Sequence, residues 1–403
     1  MARILVLDGE QRSALAATRS LGRAGHEVHV AAADPRSLST ASRHCARGVT
    51  APDPAGDPAA YRDFLSVVTA EGAFDVLLPM TDLSIPFALE LRDRRPDLVL
   101  PIPPAEAYRR ASDKVELLRL AAEAGVPVPP QVEVAGPGAA ADSPETAAAL
   151  APGLRFPVVV KPGRSAVEGS TDTARFRVSV AEDPATLSRD LSALDPRAFP
   201  VLLQERIQGP GLGAFALFWE GEPMAWFAHR RLREKPPTGG VSVYRESIPL
   251  RDDLRDYATR LLSDLGWSGV AMVEFKEDEA TGIPYLMEIN GRFWGSLQLA
   301  VDSGVDFPAL LVELALGGRP APRDAYRTGV RSRWLWGEVD HLVALARHGQ
   351  ELRRTHPELP SLARALARVA LPWRPGDRFE VLRASDPGPF IRETANWIRD
   401  LRR

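Results

Sequence analysis

The sequence has very little cysteine, no long apolar run and no surplus of either charge, and each scarcity excludes a class of protein. Cys45 is the only cysteine among 403 residues, so the chain can form neither an internal disulfide nor a thiolate metal cluster. Lys and Arg number 50 against 53 Asp and Glu, which gives no support for nucleic-acid binding. No run approaches the ~18 apolar residues that span a bilayer. We therefore predict a soluble, cytoplasmic protein with no nucleic-acid or membrane partner.

The beginning of the chain predicts a doubly wound α/β domain. Arg3–Leu7 is a short apolar strand, Ser13–Ala24 an amphipathic helix and Glu27–Ala31 a second strand. The turn after the first strand lacks the G-x-G-x-x-G spacing, so a nicotinamide-dependent dehydrogenase is disfavoured. Thr81 and Asp82 follow a later strand, at the edge where open α/β sheets bind ligands. A simple helix N-cap is an equally good interpretation of Asp82.

The most informative pattern is a pair of alternating strands around residues 270–290, joined by a Thr-Gly-Ile-Pro turn. A hairpin in this register places Glu274 opposite Glu288, with Cβ atoms roughly 5 Å apart. Carboxylates that close repel each other unless a cation lies between them. With the amide oxygen of Asn290 they form an all-oxygen set suited to Mg²⁺, and Arg292 follows closely enough to reach the same phosphates. An exposed hairpin whose acids face water is the alternative.

A lysine at a strand end introduces a loop of small residues. Lys161 closes an apolar strand, and four residues of the loop are candidate phosphate contacts: Arg164, Ser165, Gly169 and Ser170. Small residues let backbone N–H groups approach phosphate oxygens, and the lysine supplies a point charge. The spacing is not that of a Walker loop. An ordinary surface loop would look the same.

Two more segments carry candidate roles. Gln204–Ile207 is a strand running into a polar bend, which could offer backbone groups to an adenine edge. The stretch 229–240 has four closely spaced cations followed by Pro-Pro-Thr-Gly-Gly, which suits a lid over phosphates and a substrate carboxylate. Arg230 and Lys235 are its preferred members. A plain strand end and a solvated charged loop are the respective alternatives.

Taken in order along the chain, these segments resemble the ATP-grasp superfamily, and within it the carboxylate–amine ligases. The resemblance covers roughly Ser112–Gly317, and the preceding region looks like the α/β domain that comes before the ATP-grasp module. It rests on a helix lysine, a strand-end lysine, a Gln-Glu-x-Ile hinge and a glutamate upstream of Glu-Ile-Asn-x-Arg: Lys114, Lys161, Gln204–Ile207, Glu274 and Glu288–Arg292.

The resemblance implies a role for each matching residue. Lys114 and Lys161 would contact ATP phosphates, and the loop Arg164–Ser170 would close over them. The hinge would hold the adenine, and two glutamates with an asparagine would bind one or two Mg²⁺, which Mn²⁺ could replace. Arg292 would contact the transferred phosphoryl group. The hinge residues are Gln204, Glu205 and Ile207. The metal-binding residues would be Glu274, Glu288 and Asn290.

Two positions depart from the family pattern. Many relatives have an acidic residue after the hinge to bind the ribose, but Gly209–Gly213 contains none. Relatives often have proline where Gly291 stands. The ribose contact is therefore left open, and the turn carrying Arg292 is expected to be looser.

The expected architecture is an N-terminal α/β domain (1–107), an ATP-grasp small lobe (108–213), a large lobe with the metal site (214–322) and a C-terminal helical appendage (323–403). The implied reaction activates a carboxylate as an acylphosphate and joins it to an amine, with release of ADP and phosphate. A carboxylase or carbamoyl-phosphate type of ATP-grasp enzyme, or a nucleotide-binding regulator without turnover, are the alternatives. The expected partners are a small-molecule carboxylate and an amine, and a homodimer is compatible with the sequence.

Overall fold

The computed structural model describes residues 1–136, 143–163, 166–168, 173–176, 178–356, 359–370 and 377–401. These residues form four β-sheets and intervening helices. The predicted mixed α/β class, with helices near the C-terminus, is confirmed. None of the helices in the described ranges is long and apolar enough to cross a membrane.

The first hundred residues form a parallel sheet with the strand order β3-β2-β1-β4. Residues 4–6 of its first strand are buried, because helices cover both faces of such sheets. Asp8, directly after that strand, adopts φ 56, a conformation that Asp tolerates better than most residues. Its carboxylate accepts hydrogen bonds from the backbone N of Met80 at 2.9 Å and from Ser84 Oγ at 2.5 Å. These bonds fix the loop that carries Asp82. The elements are β1 (Arg3–Val6), α1 (Arg12–Arg23), β2 (Glu27–Ala32), β3 (Arg47–Thr50), α2 (Pro58–Gly72), β4 (Val76–Leu78) and α3 (Ile85–Arg94).

Two helices, α4 (Ala105–Ser112) and α5 (Lys114–Glu123), connect this domain to the next. Asp113 separates them with an extended backbone, and its side chain accepts from the backbone N atoms of Val115 and Glu116, both at 3.1 Å. Asp113 is thus the N-cap of α5. Lys114 becomes the first residue of α5.

The second sheet is antiparallel, in the order β5-β10-β6-β9. Val158 and Val160 on the inner face of β6 pack against Leu187 of an adjacent helix. Lys161 lies on the opposite face because side chains alternate along a strand. The elements are β5 (Gln131–Val134), α6 (Pro144–Ala149), β6 (Val158–Pro162), β7 (Ala166–Glu168), β8 (Thr173–Arg175), β9 (Ser179–Ala181), α7 (Pro184–Ser192) and β10 (Val201–Glu205), with β7 and β8 paired as a separate hairpin.

The largest sheet has seven strands in the order β15-β14-β11-β12-β13-β16-β17. Phe215, Phe227 and Trp294 belong to the same apolar core as the N-terminal sheet, whereas the other face of the sheet packs on α8. The elements of this part of the chain are β11 (Gly211–Trp219), β12 (Glu222–Lys235), β13 (Val241–Ser247), α8 (Asp252–Asp264), β14 (Gly269–Glu277), β15 (Pro284–Asn290), α9 (Leu297–Ser303) and α10 (Phe307–Ala315).

The C-terminal segment contributes strands as well as helices. Its elements are β16 (Arg331–Arg333), α11 (Leu335–Thr355), α12 (Leu362–Ala370), β17 (Asp377–Phe379) and α13 (Gly388–Leu401). Residues 331–333 pair with β13 and extend the large sheet, so α11 begins only at Leu335. Arg19 of α1 forms a buried ion pair with Asp386 at 2.8 Å. The segment thus packs into both the sheet and the N-terminal domain.

Candidate active site

The two glutamates singled out from the sequence are direct partners in the β14–β15 ladder. This confirms the predicted register. Glu274 Oε2 lies 2.5 Å from Nη2 of Arg231, and Glu288 Oε2 lies 3.7 Å from Nζ of Lys114. Each carboxylate therefore has a cationic partner of its own. The two positive charges reduce the repulsion between Glu274 and Glu288.

The two carboxylates differ in their affinity for a proton. Burial raises the pKa of Glu274, and repulsion from Glu288 adds to this, while Arg231 opposes it. Burial also acts to raise the pKa of Glu288, but Lys114, the hydrogen bond from Asn290 and Lys161 outweigh it and hold that pKa below its usual value. A cation bound between the two would favour the charged form of both.

Two lysines from different parts of the fold converge on Glu288. Lys161 Nζ in β6 lies 3.7 Å from Sδ of Met287, next to Glu288 in β15. Burial lowers the pKa of Lys161 to about 8, with Lys114 acting in the same direction and Glu288 opposing. The backbone N of Lys114 donates to the carbonyl of Gly163 at 2.8 Å, which ties α5 to the start of the glycine loop. A lysine at a helix N-terminus opposes the helix dipole, and such an arrangement suits an anion site.

Arg292 connects the hairpin to the N-terminal domain. Its Nη2 donates to Oδ1 of Asn290 at 2.9 Å, and Nδ2 of Asn290 donates to Glu288 at 3.1 Å. Its Nε donates to Oδ2 of Asp82 at 2.8 Å. Asp82 and Arg292, selected separately from the sequence, are thus in direct contact. The amide oxygen of Asn290 faces Arg292, so a metal could reach it only after the side chain rotates.

The turn that carries Arg292 is tightly packed, contrary to the expectation that Gly291 loosens it. A Cβ at Gly291 would lie 2.8 Å from the ring of Trp267 and 3.0 Å from that of Tyr108. These distances are too short for an ordinary contact. The two rings thus occupy the space in which a larger residue at this position would lie.

The hinge residues have protein partners. Gln204 is buried, and its Nε2 donates to Oε1 of Gln131 at 2.5 Å. The Glu205 carboxylate accepts from Arg155 at 2.9 Å, and this ion pair lowers the pKa of Glu205. Ile207 is buried. Gln204 thus holds β10 to β5, and the adenine contacts of this segment stay a prediction.

Strand alternation separates Arg230 from the carboxylate pair. Arg230 lies opposite Leu212 and pairs with Glu246 at 2.8 Å, on the other face of the sheet from Glu274. Lys235 contacts Asp340 of α11. Arg231, which the sequence analysis did not select, lies against Glu274. The alternation along β12 was the signal that could have identified it.

Four predicted phosphate contacts, Arg164, Ser165, Gly169 and Ser170, lie outside the described residues. Their roles stay predictions.

A cavity of about 630 Å³ opens between the hinge, the face of the large sheet and the C-terminal helices. It begins at Arg206–Gly211 and includes Arg231 and Lys276, neighbours of Glu274 on the same face. Its far end is formed by α11 and α12. Six of its lining residues are basic and three are acidic: Arg206, Arg231, Arg233, Lys276, Arg333 and Arg368, and Glu234, Glu279 and Asp377. The cavity is therefore suited to an anionic ligand.

Solved structures share this fold. Biotin carboxylase from Campylobacter jejuni, as a beta-gamma-ATP complex, is 18% identical with a TM-score of 0.63, over 82% of this chain and 74% of that chain. The biotin carboxylase domain dimer of Hydrogenobacter thermophilus 2-oxoglutarate carboxylase, with MgADP and bicarbonate, is 16% identical with a TM-score of 0.62, over 82% and 73%. L-amino acid ligase from Bacillus licheniformis is 18% identical with a TM-score of 0.58, over 78% and 74%. At such identities the likeness shows the fold.

The fold, and the order of the site residues along the chain, resemble those of the ATP-grasp superfamily. More particularly, residues 200–337, about a third of the chain, match the family described as ATP-grasp in the biosynthetic pathway with Ter operon. No curated protein matches the sequence. The predicted resemblance to the ATP-grasp superfamily is thereby confirmed.

Proposed function

We propose that this protein is an ATP-dependent ligase that activates a substrate carboxylate as an acylphosphate and joins it to an amine, releasing ADP and phosphate. One observation carries the proposal: Glu274 and Glu288 face each other in the hairpin, and Lys114 lies beside Glu288. Arg292 is connected to Glu288 by two hydrogen bonds through Asn290. This is the arrangement of charge that phosphoryl transfer needs.

The side chains of Glu274, Glu288 and Asn290 are of the types that bind a magnesium ion. Mg²⁺ is usually bound through one or two carboxylates together with substrate phosphates, rather than by an all-protein cage. In the described ranges no three His, Cys, Asp or Glu side chains converge on one point, so a cage is not found there. Glu274 and Glu288 would hold the metal, with Asn290 after rotation of its amide. When bound, Mg²⁺ would neutralise charge on the phosphate oxygens.

The chain's own groups then have distinct tasks. Lys114 and Lys161 bind phosphate oxygens from two sides and keep the triphosphate in place. Arg292 can direct two N–H groups at the transferred phosphoryl group or at the oxyanion formed when the amine attacks. Since positioning and electrostatics suffice for these steps, the reaction needs no nucleophilic side chain.

The cavity supports the placement of the nucleotide. Its hinge end lies next to the backbone of Arg206–Gly211, and its basic lining continues from Lys276 and Arg231 along the sheet. We place the adenosine near the hinge. Glu234 and Glu279, both in the lining, are candidates for the ribose contact that the glycine-rich segment after the hinge does not offer.

A carboxylase that phosphorylates bicarbonate is the second candidate. It is favoured by the similarity in fold to biotin carboxylases, one of which was solved with MgADP and bicarbonate. The L-amino acid ligase of similar fold favours the first candidate. A homodimer also belongs to the proposal, because one of these relatives is a dimer; light scattering would test it.

The deciding experiment measures ADP, AMP and phosphate released from ATP and Mg²⁺ in the presence of amino-acid mixtures, single carboxylates with and without amines, or bicarbonate. The proposal predicts ADP and phosphate in equal amounts, only when both a carboxylate and an amine are present. Release with bicarbonate alone would favour the carboxylase, and AMP as product would exclude the ATP-grasp mechanism. ATP binding without turnover in any mixture would indicate a regulator. Glu288→Gln serves as the inactive control.

A further inference from the structure

A second cavity, of about 240 Å³, lies where α1, α9 and the segment after β17 meet. It shares no lining residue with the cavity at the hinge. Its most unusual property is charge, since five arginines and a histidine line it against two carboxylates. The arginines are Arg19, Arg23, Arg327, Arg378 and Arg383.

Both carboxylates of this cavity are already engaged. Asp386 is buried and accepts from Arg19 Nε at 2.8 Å, from Ser42 Oγ at 2.7 Å and from the backbone N of Arg43 at 2.9 Å. Asp302 pairs with Arg383 and also accepts from Gln298 Nε2 at 3.1 Å. Two of the five arginines are thus neutralised and three are left.

The three remaining arginines have no carboxylate partner among the described residues. Arg327 donates to the backbone carbonyl of Asp302. Arg23 and Arg378 are exposed, and within the described residues neither forms an ion pair. Burial and the neighbouring arginines lower the pKa of His44, although Asp386 opposes them. The cavity is therefore a concave, positively charged surface, and concave surfaces of one sign concentrate counter-ions.

Two buried polar atoms in the lining also lack a partner among the described residues. They are Nε of Arg383, a donor, and Oε1 of Gln298, an acceptor. Gln298 is 3% exposed. Its orientation is fixed, because its Nε2 must face the carboxylate of Asp302. A buried polar group without a hydrogen-bond partner is destabilising, so each of these atoms is expected to bind a ligand or water.

We propose that this cavity binds a phosphate group, either free or carried by a small phosphate ester. Phosphate oxygens accept from guanidinium groups in a forked geometry. A protonated phosphate oxygen can in addition donate, which would serve Gln298 Oε1 while an unprotonated oxygen serves Arg383 Nε. Since a single water needs only about 10–15 Å³, the cavity has room for this group with several waters. The site is separate from the proposed ligase activity and does not depend on it.

Titration calorimetry with sodium phosphate at constant ionic strength tests the proposal. The informative variant combines Arg23→Gln and Arg378→Gln, both on exposed side chains whose loss should leave the fold intact. The matched control combines Arg36→Gln and Arg119→Gln, which removes two exposed arginines elsewhere on the chain. Because phosphate could also bind the catalytic lysines, each titration is repeated with Lys161→Gln. Melting temperatures verify that every variant is folded.

We expect phosphate to bind the wild type, the control and Lys161→Gln alike, and to bind the Arg23/Arg378 variant at least about tenfold more weakly. Undetectable binding to the wild type, equal binding by the Arg23/Arg378 variant, or loss of binding with Lys161→Gln alone would each overturn the proposal. Sulfate, which has no O–H donor at neutral pH, should bind more weakly than phosphate; equal affinity would overturn the phosphate assignment. Tighter binding of glycerol phosphate than of free phosphate would identify an ester as the ligand.

Discussion

Arg292 and Asp82 are separated by 210 positions in the sequence, yet Nε of the arginine donates to the carboxylate of the aspartate at 2.8 Å. The aspartate belongs to the loop that Asp8 fixes after β4, and the arginine follows β15, the strand that carries Glu288. One guanidinium therefore contacts both the N-terminal domain and, through Asn290, the carboxylate pair. A substrate carboxylate or phosphoryl group would have to share Arg292 with Asp82. If Arg292 contacts the substrate as proposed, the substrate would bind at the boundary between the N-terminal domain and the β14–β15 hairpin.

Replacing Arg292 should impair turnover much more than nucleotide binding. Negative charge on the transferred group develops during the reaction, and removal of one preorganised donor costs about 3–4 kcal/mol, or roughly 10²–10³ in kcat. Arg292→Ala and Arg292→Lys should both bind ATP nearly normally. Both should turn over poorly, because lysine cannot reproduce the forked contact. Calorimetry for ATP affinity and steady-state ADP release measure the two effects.

Asp82→Asn is the control for that experiment. It removes the same ion pair but keeps the arginine, and a half-exposed pair contributes little to stability. If Arg292 only supports the turn, its variants should have lower melting temperatures while the folded fraction keeps its specific activity. A reduction in kcat confined to the Arg292 variants, with unchanged melting, supports the catalytic role.

Metal dependence should be sensitive to Glu274. Glu274→Gln removes one proposed ligand, so the Mg²⁺ concentration for half-maximal activity should rise more than about tenfold, since even outer partners of metal ligands contribute 10–100-fold. In the wild type, the Mg²⁺ concentration for half-maximal activity should rise as the pH falls, because the raised pKa of Glu274 lets a proton compete with the metal. Glu234→Gln is the matched control, as Glu234 also pairs with Arg231 but does not face Glu288. Equal Mg²⁺ requirements in both variants would remove Glu274 from the metal site.

The register of the β14–β15 hairpin could be predicted from the sequence, because strand alternation and a short turn leave few alternative pairings. A slip of one residue would exchange the two faces of β14, and Glu274 would then lie on the buried face where Val273 and Phe275 pack. The pairing of Glu274 with Glu288 follows directly. The convergence of Lys114 and Lys161 came from the resemblance, since nothing local in either segment says that they meet.

What the sequence could not predict are contacts between distant segments. Lys235 looks like a free lid cation, but it contacts Asp340, which is 105 positions away. Strands β16 and β17 are three residues each, too short for a periodic pattern, and only their pairing with β13 and each other defines them. Arg230 and Arg231 are indistinguishable by type. Alternation along β12 places them on opposite faces, but only the register of β12 against β11 and β14 shows which of them shares the face of Glu274.

ATP affinity should decrease as the pH rises through about 8. Only the protonated form of Lys161 attracts phosphate, and burial lowers its pKa to about 8 in the free protein. Above that pH the affinity should fall by up to about tenfold per pH unit, because binding then has to take up a proton. Lys161→Arg should abolish this decrease, since arginine stays charged throughout. Titrations between pH 7 and 9.5 measure the slope, and a slope unchanged by Lys161→Arg would assign the titration to another group.

The adjacent residues Arg230 and Arg231 provide a matched pair on opposite faces of β12. Arg231 lies 2.5 Å from Glu274 and lines the cavity at the hinge, whereas Arg230 pairs with Glu246 on the other face. Arg231→Gln should weaken ATP binding about tenfold or more, because it removes a charge-assisted contact that is made in the ground state. Arg230→Gln should leave ATP affinity within about twofold, since Arg230 pairs with Glu246 on the face of the sheet away from the ligand.

Both variants lose one positive charge, so a long-range electrostatic effect would lower the affinity equally and would decrease with salt. A difference that persists at high ionic strength shows direct contact by Arg231. If Arg230→Gln instead caused the larger loss, the predicted lid role of Arg230 would be supported, and β12 would have to change its position when ATP binds. Calorimetry at two salt concentrations, with melting temperatures for both variants, distinguishes these outcomes.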